Sequence, residues 1–114
     1  MNAVTRIVVV STDTDLNAAI QKECLGHKDE FNPIFLSETA NVIEYLKYEL
    51  PEVKIFYFSD RTANVCGILE QVQMDPWLHY GGIIAVHDNS DEKGLLETMR
   101  NSNVIAVLKK AEFL

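Results

Sequence analysis

RIVVVSTDTDL, residues 6–16, decides how the chain is read. Ile7 to Val10 form an unbroken apolar, β-branched run, as expected of a strand buried on both faces of a parallel sheet. The run stops at Ser11 and Thr12, and two acids follow, Asp13 and Asp15. Leu16, Ala19, Ile20 and Cys24 then recur at helical spacing, and Gly26 is placed to end that helix. The polar stretch between strand and helix has two readings. Asp13 and Asp15 coordinate a cation if the strand end is bulged by one residue. Alternatively, Thr12-x-x-Asp15 ahead of Leu16 is a capping box, with the acids at the positive end of the helix dipole.

The alternation continues along the chain. NPIFL (32–36) reads as a second strand, and Pro33 assigns it to a sheet edge. ETANVIEYLKYEL (38–50) places Val42, Ile43, Leu46 and Leu50 on one helical stripe, flanked by Tyr45 and Tyr48, and Pro51 stops it. VKIFYF (53–58) is the third strand and ANVCGILEQVQ (63–73) the third helix, with Val65, Ile68, Leu69 and Val72 on its apolar side. GIIAV (82–86), DEKGLLETMR (91–100) and NVIAVL (103–108) supply the fourth strand, fourth helix and fifth strand. The order βαβαβαβαβ with short connections builds a parallel sheet with helices on both faces, because each right-handed crossover lays a helix on the sheet. Residues 1–114 make one domain. Only KKAEFL (109–114) follows the last strand, where a covering helix is the norm. The chain is therefore expected to be the N-terminal module of a longer protein, or to borrow cover from a partner.

Composition narrows the function. The 114 residues are 47% hydrophobic and 24% charged, which suits one packed domain. Seventeen acids against ten Lys plus Arg leave a net charge of −7. The basic residues are scattered singly or as the pair Lys109–Lys110, so neither a nucleic-acid face nor an anionic-membrane face is expected. Ile7–Val10 is too short for a signal peptide or a membrane span. Cys24 and Cys66 fit no CxxC or metal spacing and read as thiols of a reducing, cytoplasmic setting.

In open α/β sheets the working site lies at the carboxyl ends of the strands. The turn after the first strand has no glycine and carries negative charge, Gly81–Gly82 precedes its strand, and neither a Walker-type loop nor a G-x-S-x-G elbow occurs. Nucleotide binding and α/β-hydrolase chemistry are excluded on these grounds.

Three stretches carry a family likeness: RIVVVSTDTDLNAAI (6–20), SETANVIEYLKYELPEVKIFYF (37–58) and IIAVHDNSDEKGLLETMRNSNVIAVLKK (83–110). With them the chain resembles the receiver domain of two-component response regulators over essentially its whole length. The resemblance implies a flavodoxin-like, doubly wound, five-stranded parallel sheet of order 2-1-3-4-5, with the last helix missing from this chain. It implies signalling through a protein partner or a fused output domain, with a homodimer as one form, and no enzymatic activity. Receivers use two acids after the first strand and an acceptor aspartate after the third to hold Mg²⁺, which offsets the charge of the phosphoryl group. Here Ser11 and Thr12 stand at the paired-acid positions and Tyr57 at the acceptor position. His87 stands at the switch hydroxyl and Ala106 at the switch aromatic, while Lys109 matches. Hydroxyls are poor Mg²⁺ ligands and tyrosine forms no acyl phosphate, so the likeness is to a degenerate pseudo-receiver without a cofactor.

Two other functions fit the same residues: an atypical phosphorylatable receiver using Asp13, Asp15 or Asp60 with Lys109 and Mg²⁺, and a small-ligand sensor built around Tyr57 and His87. Each site residue also has an ordinary reading. Asp60, three residues past Tyr57, is either a displaced acceptor or a loop acid. His87, beside Asp88, is either a titrating group or a neutral strand-end histidine. Lys109 either pairs with Asp13 in the former metal site or is solvated. HDNSDE (87–92) lacks EF-hand spacing and offers Asn89 or Ser90 as a helix cap. In MDPWLHYGG (74–82), Trp77, Leu78 and Tyr80 either anchor a partner, together with the Ala106 surface of the last strand, or plug the far end of the sheet.

Overall fold

The computed structural model describes residues 4–27, 29–37, 41–58, 68, 71–72, 74–76, 78, 81–88 and 104–113. The strands are β1 (Thr5–Val10), β2 (Phe31–Leu36), β3 (Val53–Phe58), β4 (Gly82–His87) and β5 (Val104–Lys109). Helix α1 (Thr14–Gly26) follows β1, α2 (Val42–Glu49) follows β2, and a 3-10 turn (Lys110–Phe113) follows β5. The strands pair in parallel in the order β2-β1-β3-β4-β5, the doubly wound arrangement expected from the sequence. Pro33 lies in β2, an edge strand, where a missing backbone donor is tolerated. Of the third expected helix, Ile68 and Val72 are described, and both pack on the core. The fourth expected helix lies outside the described residues, as do Asp60, Trp77 and Tyr80.

Strand alternation sorts the apolar residues into two layers. On the α2 face, Val8, Val10, Phe56, Phe58, Ile83 and Ala85 pack with Val42 and Leu46 of α2. Leu78 joins this layer at 1% exposure, so that member of the 74–82 loop is a core residue. On the α1 face, Ile7, Val9, Ile55, Tyr57 and Val86 pack with Leu16, Ile20 and Cys24 of α1. Near-continuous apolar strands are what burial on two faces requires.

The helix ends differ in detail from the sequence expectations. The amino end of α1 is capped by Asp13, whose side chain accepts from the Leu16 amide, while Thr12 is exposed. The carboxyl end has Gly26 inside the helix and His27 as the cap, whose amide donates to the Cys24 carbonyl. Helix α2 stops because Leu50 turns left-handed, at φ 46° and ψ 60°, with its amide on the Leu46 carbonyl, and Pro51 follows. Arg6 ties this corner to β1, donating its amide to Glu52 at 2.7 Å and its guanidinium to the Leu50 carbonyl at 3.3 Å.

Two glycines give opposite expectations. Gly81 has φ +83°, and a Cβ there would strike the carbonyl groups of Glu52 and Pro51. Gly81→Ala is expected to cost about 2 kcal/mol or more. Gly26 is helical with nothing within 4 Å of an added Cβ, so Gly26→Ala is expected to stabilise by about 0.5–1 kcal/mol. Urea unfolding of the two variants measures both signs.

Candidate functional site

The carboxyl ends of β1, β3, β4 and β5 converge beside the start of α1. Ser11 extends β1 by one step, donating its amide to the Leu36 carbonyl at 2.9 Å. Its hydroxyl then turns back on the chain and accepts from the Asp13 amide at 3.1 Å. Its carbonyl accepts from the Asn17 side-chain amide at 2.9 Å. This local network fixes the turn.

Asp13 is the centre of the site because both of its carboxylate oxygens are bonded. Oδ1 accepts from the Leu16 amide at 2.8 Å, satisfying one of the donors that open a helix. Oδ2 accepts from the Lys110 ammonium at 2.8 Å, across 97 residues of chain. The same ammonium lies over the Tyr57 ring, 6.0 Å from its centroid. Partial burial pushes the Asp13 carboxyl upward, but the bonds from Lys110 and Leu16 outweigh it and hold it below the ordinary 3.8. The bond to Asp13 raises Lys110 above its ordinary value. Burial, followed by the charges of Asp88 and Asp13, raises the Tyr57 phenol above 10.0, with Lys110 opposing. At neutral pH the site therefore holds a carboxylate, an ammonium and an un-ionised phenol.

The lysine of this site is Lys110, not Lys109, and the reason is strand phase. Between Ile83 and Ile84 the β4–β5 register slips: Ile83 pairs with Val104, but Ile84 pairs with Ala106. Ile105 is the extra residue of this bulge and is 65% exposed. Beyond it, Leu108 lies opposite Val86 on the α1 face, and Lys109 lies opposite His87 on the other. Lys110 returns to the face of Asp13 and Tyr57, whereas Lys109 is exposed.

The other residues singled out from the sequence are distributed as follows. Tyr57 is 7% exposed and packs in the α1 layer. His87 is 2% exposed and, by alternation with Ala85, lies on the opposite face from Tyr57. Thr12 and Asp15 are exposed, and Ala106 is partly buried on the α1 face. Two groups that the sequence reading did not single out belong to the site. Asn17 anchors the turn, and the Asp88 carboxylate beside Tyr57 has a buried Oδ1 with no hydrogen bond among the described residues.

Asp13 and Ser11, bonded as they are, leave few free oxygens for Mg²⁺. A divalent ion needs several free oxygen ligands in near-octahedral array. Asp13 is already bonded at both oxygens and Ser11 accepts a backbone amide. No group of three or more His, Cys, Asp and Glu side chains among the described residues is arranged to hold a metal.

No protein-family model matches the chain, and no curated protein matches it. Solved structures do. A response regulator from Hahella chejuensis superposes with a TM-score of 0.78 at 17% identity, covering 95% of this chain and 81% of that one. This is the receiver fold. The Mn²⁺-bound form of the response regulator Rcp1 gives 0.73 at 15% identity, covering 92% of this chain and 80% of that one. The receiver domain of the response regulator NarL from Mycobacterium tuberculosis gives 0.64 at 15%, covering 96% and 86%. At these identities the likeness fixes architecture, and function has to be argued from the site.

The Asp13–Lys110 bond has a pH signature. Asp13's folded pKa is lowered, so its contribution is present above 3.8 and is lost as pH falls through the lower folded value. Lys110's folded pKa is raised, so its contribution is present below 10.5 and is lost as pH rises through the higher folded value. The stability difference between the native chain and Asp13→Asn is expected to be flat between these limits and to shrink beyond either. Asn also caps helices, so Asp13→Ala is expected to cost about 1 kcal/mol more than Asp13→Asn. Urea unfolding across pH checks both expectations.

Proposed function

We propose that this chain is a receiver-like signalling domain that works without phosphorylation, by binding a protein partner or a fused output domain in a bacterial two-component or related system. It is a cytoplasmic, non-enzymatic module in this reading. The observation that carries it is the state of Asp13. Its two oxygens serve the α1 cap and the Lys110 ammonium, so the acid nearest the expected metal position is already neutralised by a fixed cation of the chain itself. Tyr57 at the acceptor position adds to this, because a phenol yields no acyl phosphate to exchange reversibly with a phosphodonor. Among the described residues no helix is long and apolar enough to cross a membrane, which agrees with a domain that meets its partner in solution.

The reading is tested by incubating the chain with Mg²⁺ and acetyl phosphate and measuring intact mass, with beryllofluoride-dependent amide spectra recorded in parallel. No phosphoryl adduct and no beryllofluoride-dependent shift are expected. An adduct that disappears in Asp60→Asn overturns the proposal in favour of an atypical phosphorylatable receiver.

A further inference from the structure

Strand β5 pairs with β4 at one side of the described sheet. Every residue from Val104 to Leu108 is apolar, and two lysines, Lys109 and Lys110, follow directly. Alternation normally fixes the register of a strand, because a slip of one residue turns its apolar side to water. In β5 a slip exchanges one apolar set for another, so the pattern leaves the register open. The bulge at Ile105 marks the register that is adopted. Its side chain is 65% exposed and lies over Gly82, where an added Cβ would stand 2.8 Å from the Ile105 Cδ1. The seat of Ile105 therefore depends on a residue without a side chain.

Taking up the extra residue gives a ladder without a break. Ile84 then pairs with Ile105, Ala85 with Ala106, Val86 with Val107 and His87 with Leu108. The α1 face carries Ile105 and Val107 in place of Ala106 and Leu108, and Ala106 replaces Val107 on the α2 face. Two packing effects oppose each other. Ala106 fills less of the α2 layer than Val107, which packs there in the bulged ladder. Ile105 exchanges its exposed position for contact with Ile84. At the carboxyl end Lys109 comes into the phase of Lys110, on the face of Asp13 and Tyr57. The tandem lysines thus present an ammonium to Asp13 in either register.

We infer that β5 is a two-register strand: straightening the Ile105 bulge passes Asp13 from Lys110 to Lys109 and advances the chain beyond the strand by one residue. The advance is about 3.3 Å, and it reverses the side-chain phase of Lys110–Phe113, the turn that touches α1. A change at Ile105 is felt at Asp13, five residues or about 17 Å further along the strand. Register shifts of this kind are a known form of two-state element. The device uses neither a metal nor a phosphoryl group, and it stands or falls separately from the phosphorylation-independent reading.

The test is NMR on the full chain, labelled with ¹⁵N and ¹³C. Interstrand NOEs report the register, Ile84 to Ala106 in the bulged ladder and Ile84 to Ile105 in the straight one. The native chain is expected to show the first. Lys110→Met removes the cation of the bulged register and is expected to show the second. Its Asp13 carboxyl is expected to titrate below 3.8 still, because Lys109 has taken over. Deleting Ile105 removes the extra residue while keeping the phase beyond it. Lys110→Met in that background is expected to retain the Ile84 to Ala106 contact and to titrate Asp13 at higher pH than Lys110→Met alone. Gly82→Ala crowds Ile105 from the opposite end of the strand and is expected to favour the straight ladder. An Ile84 to Ala106 contact that persists in Lys110→Met overturns the inference, as does an Asp13 titration indifferent to the deletion. Should Lys110→Met not fold, Gly82→Ala decides by the same NOEs, and persistence of the bulged pattern there overturns the inference.

Discussion

The Asp13 carboxylate holds together the parts of the molecule on which any function depends. It opens α1 through Oδ1 and receives the chain just past β5 through Oδ2, so the first crossover and the end of the last strand meet at one group. Each bond makes the other more favourable. The ammonium keeps the carboxylate ionised, and an ionised acid is a better acceptor for a helix amide and a better match to the helix dipole. Tyr57 borders the arrangement: its ring packs in the α1 layer with the Lys110 ammonium 6.0 Å from its centroid, and the charges of Asp88, Asp13 and Lys110 act on its phenol. A divalent ion would join the same strand ends through several oxygens and would come and go with concentration. A lysine of the same chain does it permanently.

Much of the fold was legible because parallel α/β architecture writes itself in unbroken apolar strands separated by amphipathic helices. Ile7–Val10 and VKIFYF announced buried strands, and Pro33 announced an edge. The site was less legible, and the failures have one cause: they depend on phase. NVIAVL is apolar at every position after its first, so nothing in it shows which residues face which layer. The Ile105 bulge then shifts everything after it by one residue, exchanging Lys109 for Lys110. The cap shows the same limit at a smaller scale. Thr12 and Asp13 are both good capping residues, and the choice between them follows from where β1 ends and how Ser11 turns, which composition does not encode. Gly26 fits a helix stop by type and is the last residue of α1, with His27 as the cap just outside it.

The same bulge links the site to the apolar residues of the α1 face. With Ile105 set out of register, Ala106 and Leu108 fall on the α1 face beside Ile84 and Val86. Ile105 itself lies over Gly82; a continuous ladder would instead have paired it with Ile84 and put Val107, not Leu108, opposite Val86. One inserted residue therefore determines both which lysine reaches Asp13 and which apolar side chains the α1 face presents.

Helix α1 packs on the sheet through Leu16, Ile20 and Cys24, and the group that caps its amino end is the one that Lys110 holds. Moving α1 relative to the end of β5 would stretch a 2.8 Å charge-assisted bond, so the pair resists that movement. In a domain whose metal site toggles, the positions of strand ends and helices follow the state of that site. Here the Asp13–Lys110 contact joins two side chains of one chain, and both stay charged across the neutral pH range, because the acid is lowered and the base is raised.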